Sequence, residues 1–178
     1  MGGGAIHVYI PATLAMLQQL VTDGSLWPVN GTAFAVTPTL REAYAEGDDD
    51  ELADVALREA ALASLRLLAA HEAERADQTV RPRRAVLSAE VDLGESGVKF
   101  RPDLDDAVVR LGAPVAIDQV IAAYVDNAGA EQAVTKAIEV IDAADLGDED
   151  ADLLVGDAQD HDLAWYANQE LPFLLDLL

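Results

Sequence analysis

Ile6-His7-Val8-Tyr9-Ile10-Pro11-Ala12-Thr13-Leu14-Ala15-Met16-Leu17 is the stretch on which the reading of the fold turns. Residues 6–10 form a β-branched and aromatic run that Pro11 ends, which reads as a strand. Thr13 then stands where an N-cap is wanted. Leu14, Leu17, Leu20 and Val21 fall on one face of a helix that Gly24 stops. A strand that hands over to an amphipathic helix across Pro11–Thr13 predicts a chain that mixes the two kinds of element in its core.

Outward from there the pattern continues. Gly31 precedes a second strand at 33–36, and Thr37-Pro38 reads as an N-cap with Pro at the first position of a short helix over 39–46. Asp48–Glu51 caps a long helix reaching Ala73, with Leu52, Val55, Leu62, Leu65 and Leu68 toward the core. Residues 85–92 alternate as a strand, Gly94 and Gly97 mark a turn, and residues 98–100 read as its return arm. Residues 107–111 and 120–125 are strand-like, with one helical turn at 117–119. Residues 128–144 form a helix with Val134, Ile138 and Ile141 on one face, and 145–160 is an acidic segment, helical in part. Residues 163–166 read as a last strand, a helix over 161–166 being the alternative, and Asn168 as the cap of a terminal helix through Leu178.

Strand, helix, strand and short helix thus recur in the first and last thirds, the pattern of a ferredoxin-like pseudo-duplication. The predicted fold is α/β of the α+β type. It is a two-layer sandwich, a mixed sheet of about five or six strands with helices packed on one face. A doubly wound parallel sheet is the alternative. It fits less well because buried parallel strands are continuously apolar and these mix polar with apolar positions. At 178 residues the chain is expected to form a single domain over 1–178, with Met1–Gly4 a cloning remnant or a disordered lead.

Composition limits the function classes. Lys and Arg number 11 against 33 Asp and Glu, a formal charge of −22. Such a field repels nucleic acid and anionic membrane surfaces and favours basic partners. Hydrophobic residues make up 51% and aromatics 5%, so the core is expected to be aliphatic. There is no cysteine, which excludes thiol catalysis, disulfides and zinc–thiolate sites and suits the cytosol. No apolar run approaches the roughly 18 residues of a membrane span, and no signal peptide is visible.

Four clusters hold residue types that carry chemistry. Asp148, Asp150 and Asp152 resemble the start of a calcium loop. Leu153 stands where the loop needs glycine and Gln159 where it needs glutamate, so a solvated acidic segment is the better reading. His161 and Asp162, followed by Trp165 and Tyr166, place an imidazole among carboxylates beside two aromatic rings. These four are the candidate ligand-binding residues. Lys99, Arg101, Asp103, Asp105 and Asp106 read as a salt-bridged loop. Arg75, Arg81, Arg83 and Arg84 are the basic cluster, expected on so acidic a chain to pair with the acidic tail within or between molecules; no aromatics interleave it, which argues against nucleic-acid binding. No phosphate-binding glycine loop and no nucleophile elbow occurs, Gly94-Glu95-Ser96-Gly97 having the wrong spacing. No catalytic residue, metal-ligand set or cofactor is assigned.

Three segments, Val8–Leu14, Thr32–Pro38 and His161–Tyr166, resemble a family of small actinobacterial proteins of unknown function. The resemblance implies a bacterial, cytoplasmic origin and transfers no functional residue. The function expected is a soluble, non-enzymatic interaction or regulatory module that engages a basic protein or its own dimer mate through an acidic surface. The alternative is a small-molecule- or metal-dependent enzyme with its site near His161 and Trp165.

Overall fold

The computed structural model describes residues 4–44, 46–74, 81–94 and 97–176. Strand β1 (Ala5–Ala12) passes through Thr13 into helix α1 (Leu14–Asp23). The Thr13 hydroxyl accepts from the Met16 amide at 3.3 Å, and Gly24 closes the helix at φ 80°. Strand β2 (Ser25–Leu26) and a short turn lead to β3 (Thr32–Phe34) and helix α2 (Pro38–Ala43), where Thr37 caps the Leu40 amide. Helix α3 (Asp49–Glu74) crosses the molecule to β4 (Ala85–Asp92). Then come β5 (Lys99–Phe100), β6 (Val108–Arg110), β7 (Val115–Ala116) and β8 (Val120–Val125). Helices α4 (Glu131–Asp145) and α5 (Glu149–Gln159), strand β9 (Ala164–Ala167) and helix α6 (Leu171–Asp176) complete the chain.

Seven strands form one sheet in the order β5-β6-β3-β1-β4-β8-β9, antiparallel at every pair, and β2 pairs with β7 in a small second sheet. The class is α+β, as expected. The sheet is larger than the five or six strands predicted and is antiparallel rather than mixed. A ferredoxin-like duplication holds its helix-linked strands parallel with one strand between them, whereas here the linked strands β1 and β3, and β8 and β9, are direct antiparallel neighbours. The reason is in the connections: α1 is followed by a short return that brings β3 back antiparallel to β1.

Helices cover both faces, where one face was expected. Val8, Ile10, Ala12, Leu87 and Ala89 pack with Leu17 and Leu20 of α1 and Leu171 and Leu174 of α6. The alternate residues Tyr9, Val86, Phe34 and Val108 pack on the other side with Leu40 of α2 and Leu52, Ala56 and Ala60 of α3. The period-2 alternation of β1 and β4 sends successive side chains to opposite faces, and both faces are apolar enough to bury. A third cluster joins Leu65 and Leu68 of α3 to Val134 and Ile141 of α4 and Val155 and Ala158 of α5.

Local differences have local causes. Strand β1 runs through Pro11, because β3 pairs with β1 only at Tyr9↔Phe34, and past that point no neighbour needs the missing N–H. Residues 99–100 are not the return arm of β4; they pair with β6 at the far edge of the sheet. Asn168 does not cap the terminal helix with its side chain. Its amide nitrogen donates to the carbonyls of Ile117 (2.6 Å) and Val120 (2.7 Å), tying the chain end to the start of β8. Arg75, Met1–Gly3 and Glu95-Ser96 lie outside the described residues.

Candidate functional site

The surroundings of His161 are built on one buried ion pair. Arg84 directly precedes β4 and Asp126 directly follows β8, so the strand pairing sets them side by side. Their side chains are 1% and 0% exposed. Arg84 Nε donates to Asp126 Oδ2 (2.9 Å) and Nη2 to Oδ1 (2.8 Å), a bidentate fork. The Arg84 amide adds a third bond to the same carboxylate at 2.8 Å. The remaining donors reach the tail: Nη1 to Gln159 Oε1 and Nη2 to the His161 carbonyl, both 2.8 Å. Gln159 in turn donates to the Arg58 carbonyl of α3 at 3.1 Å. Arg84 therefore fixes the main chain at His161 and leaves the imidazole outside. Of the rest of the basic cluster, Arg83 Nε pairs with Glu131 at 2.9 Å and Arg81 lies 3.8 Å from the same carboxylate, so the ion-pair partners of Arg81, Arg83 and Arg84 are Glu131 and Asp126 and not the acidic tail that was expected.

The four predicted ligand-binding residues are divided by this arrangement. His161 and Asp162 are both exposed and share a small cleft of about 70 Å³ with Leu57, Arg58 and Gln159. A second cleft of about 190 Å³ runs from His161 along α4 past Lys136 and Asp157. Trp165 and Tyr166 are successive residues of the edge strand β9 and so project from opposite faces. Trp165 lies across from Tyr124 and is 56% exposed, whereas Tyr166 lies across from Ala123 and packs on the α1 side. Of the four, His161 and Asp162 line a common cleft.

Asp148, Asp150 and Asp152 belong to a helix start. Asp148 caps the Ala151 amide at 2.9 Å, and the other two lie in the first turn of α5, where acids complement the dipole. Among the described residues no group of three or more His, Asp or Glu side chains is placed to hold a metal ion. Helices α4 and α5 form a hairpin through Gly147 at φ 98°. Between Glu139 and Asp162 it carries ten carboxylates, all exposed. Of these, Asp145 alone is held in an ion pair among the described residues, to Arg66 at 2.9 Å, and that pairing holds its carboxyl below the usual range. Leu146 and Leu153 stand out of the same surface at 89% and 69% exposure.

A second concave region, which the sequence reading did not single out, lies under the start of α3. The cleft, of about 430 Å³, is lined by His7 and Tyr9 of β1, Val36, Arg41 and the α3 residues Asp49, Asp50 and Ala53. His7 Nε2 shares a 2.5 Å hydrogen bond with Ser88 Oγ on β4, and the His7 and Tyr9 rings sit 4.9 Å apart. Burial lowers the His7 pKa, opposed by nearby Glu90. Burial raises that of Tyr9, reinforced by Tyr124, Asp54 and Asp50, so both groups are held neutral. The signal that could have located this cleft is the i, i+2 spacing of His7 and Tyr9, which puts two polar rings on one sheet face. Its other wall comes from residues some forty positions away, and only the fold brings them there.

No curated protein and no solved structure matches the chain. Residues 6–175 match the sequence model of a family of unknown function (DUF6912), which is nearly the whole chain and agrees with the resemblance seen in its three segments. The chain belongs to this family of unknown function.

Proposed function

We propose that this protein is a non-catalytic binding module whose α4–α5 hairpin docks on a cationic surface of a partner protein. One observation carries the reading: ten exposed carboxylates lie between Glu139 and Asp162, and no Lys or Arg follows Lys136. Asp145 pairs with Arg66, but the other nine are in no ion pair among the described residues, and Arg81, Arg83 and Arg84 are taken up by Glu131 and Asp126. Concentrated like charge is self-repelling in a free protein, and an opposite charge on a partner relieves that repulsion. Exposed Leu146 and Leu153 supply the apolar contacts that give such a surface affinity as well as steering. The same field works against a nucleic acid or a second hairpin as partner. Among the described residues no helix is long and apolar enough to cross a membrane. The cysteine-free composition suits a cytoplasmic setting.

Catalysis at His161 has less support. Its side chain has no hydrogen-bond partner among the described residues; its structural tie is the main-chain carbonyl held by Arg84. A general base needs an orienting neighbour.

The test uses a lysine-rich peptide as probe, titrated into the protein at several salt concentrations. One variant carries Glu149→Gln, Asp150→Asn, Asp152→Asn and Asp157→Asn. A control carries Asp49→Asn, Asp50→Asn, Glu51→Gln and Asp54→Asn on α3. The hairpin variant is expected to bind about tenfold more weakly and with a shallower salt dependence, with the control close to wild type. Equal losses in both variants would show a diffuse field without a docking surface and would contradict the proposal.

A further inference from the structure

The seven-stranded sheet ends on β9, and the ladder fixes which backbone groups of that strand are used. The Asp126 amide donates to the Arg84 carbonyl, so the residues of β8 in the same phase, Tyr124 and Ala122, bond to β4 through Val86 and Ser88. Ala123 and Val125 therefore turn their amides and carbonyls to β9, where they meet Tyr166 and Ala164. The N–H and C=O of Trp165 and Ala167 face away from the sheet. The Ala167 amide agrees with that phase, since it donates to Glu170 Oε1 of the following turn at 3.3 Å. The outward groups of Trp165 have no bond among the described residues. The opposite edge differs. Strand β5 has only two residues, places Lys99 across from Arg110, and is followed by Pro102, and lysine and proline keep other chains off an edge. Strand β9 has neither residue, and its central side chain, Trp165, is 56% exposed.

Charge selects what such an edge accepts. Asp160 and Asp162 stand exposed just before β9 and Glu170 just after it. A second copy of the chain, pairing antiparallel about Trp165, sets the acids that flank one β9 against those that flank the other. A cationic strand meets complementary charge at both ends. We propose that β9 takes up an extended, lysine-rich segment of a partner protein as an eighth strand. Backbone bonds to Trp165 hold it, an apolar side chain lies over the Trp165 ring, and its lysines stand among Asp160, Asp162 and Glu170. Strand addition of this kind draws affinity from the main chain and specificity from alternate side chains. The inference rests on the hairpin reading for the positive charge of the partner and adds the way in which the partner's chain is held.

The experiment is a two-dimensional NMR titration of the full chain with an octapeptide that alternates lysine with valine, and with the same peptide N-methylated at every residue. Methylation keeps charge and side chains and removes the backbone donors. The parent peptide is expected to saturate with a dissociation constant of about 1 mM or tighter, moving the amides of Ala164, Trp165 and Ala167 as well as the hairpin. The methylated peptide should bind at least about fivefold more weakly and leave β9 unmoved. Trp165→Ala removes the ring, and Trp165→Pro removes the ring and the outward N–H without touching the ladder to β8. The proline variant should bind about threefold more weakly than the alanine variant. Equal affinity of the two peptides, with shifts confined to residues 139–162, overturns the added strand and leaves the hairpin reading standing. Undiminished β9 binding in the variant neutralised at Glu149, Asp150, Asp152 and Asp157 supports the strand and counts against the hairpin. Shifts of β9 that follow protein concentration without peptide identify a second copy as the occupant and overturn the proposal. Absence of saturable binding overturns both readings.

Discussion

Arg84 and Asp126 show at the scale of single residues how this chain holds its ends together. A fully buried arginine is costly unless its guanidinium is paired, and here bonds to Asp126, Gln159 and the His161 carbonyl engage all three of its nitrogens. Asp126→Ala leaves the guanidinium buried without its counter-ion and is expected to cost about 3–5 kcal/mol in urea unfolding. The double change Arg84→Met with Asp126→Leu should cost much less, since no charge is stranded. Ser64 has a comparable role: its hydroxyl donates to the Ala12 carbonyl and accepts from the Ala85 amide, bridging β1 and β4 beneath α3. His7 gives a pH-dependent signature. Its folded pKa lies below the ordinary value, so the unfolded chain takes up a proton first as pH falls. The His7 contribution is therefore complete above the ordinary imidazole pKa and is lost as pH drops through it. NMR titration of the ring should give a midpoint below that of an unfolded control, and Glu90→Gln should lower it further. The residue scale was only partly legible in the sequence. Arg84 was visible as one of a basic cluster, but its buried partner lies 42 positions away and no local pattern links them.

At the scale of elements, legibility follows local chemistry. Helix α1 could be read from Thr13 and Gly24, and strand β4 from its alternation, because caps and periodicity act over a few residues. The pairing of β5 with β6 and the antiparallel order of the sheet were not legible, because strand partners are chosen by tertiary packing. The β-rich composition of residues 6–10 showed a strand but not that both of its faces are buried, so helices were expected on one side only. The glycines provide an element-scale test. Gly24 and Gly31 both hold positive φ, at 80° and 69°. A Cβ at Gly24 meets nothing, whereas one at Gly31 comes within 2.8 Å of the Leu111 carbonyl oxygen. Gly24→Ala is expected to cost about 1–2 kcal/mol from backbone strain alone. Gly31→Ala should exceed it by at least about 1 kcal/mol, because the backbone there must also shift; urea midpoints of the two variants check the order.

At the scale of the whole molecule, charge dominates. With a net −22 and six ion pairs among the described residues, self-repulsion is largely uncompensated, and screening relieves it. The melting temperature is expected to rise from low to moderate ionic strength; a flat curve would mean that the acids are already balanced. The acidic tail was plain in the sequence, and the fold turns it into a hairpin with a face. The cleft at Tyr9 was not plain, because its walls come from β1 and α3 and neither segment carries a recognisable motif. The account rests most on the claim that the α4–α5 face, and not the charge of the molecule at large, is the docking surface. The most direct measurement is an NMR map of the lysine-rich peptide on the full chain at near-physiological salt. The account predicts saturable shifts concentrated between Glu139 and Asp162, including Leu146 and Leu153. Shifts spread evenly over this hairpin and the acidic start of α3 would contradict it.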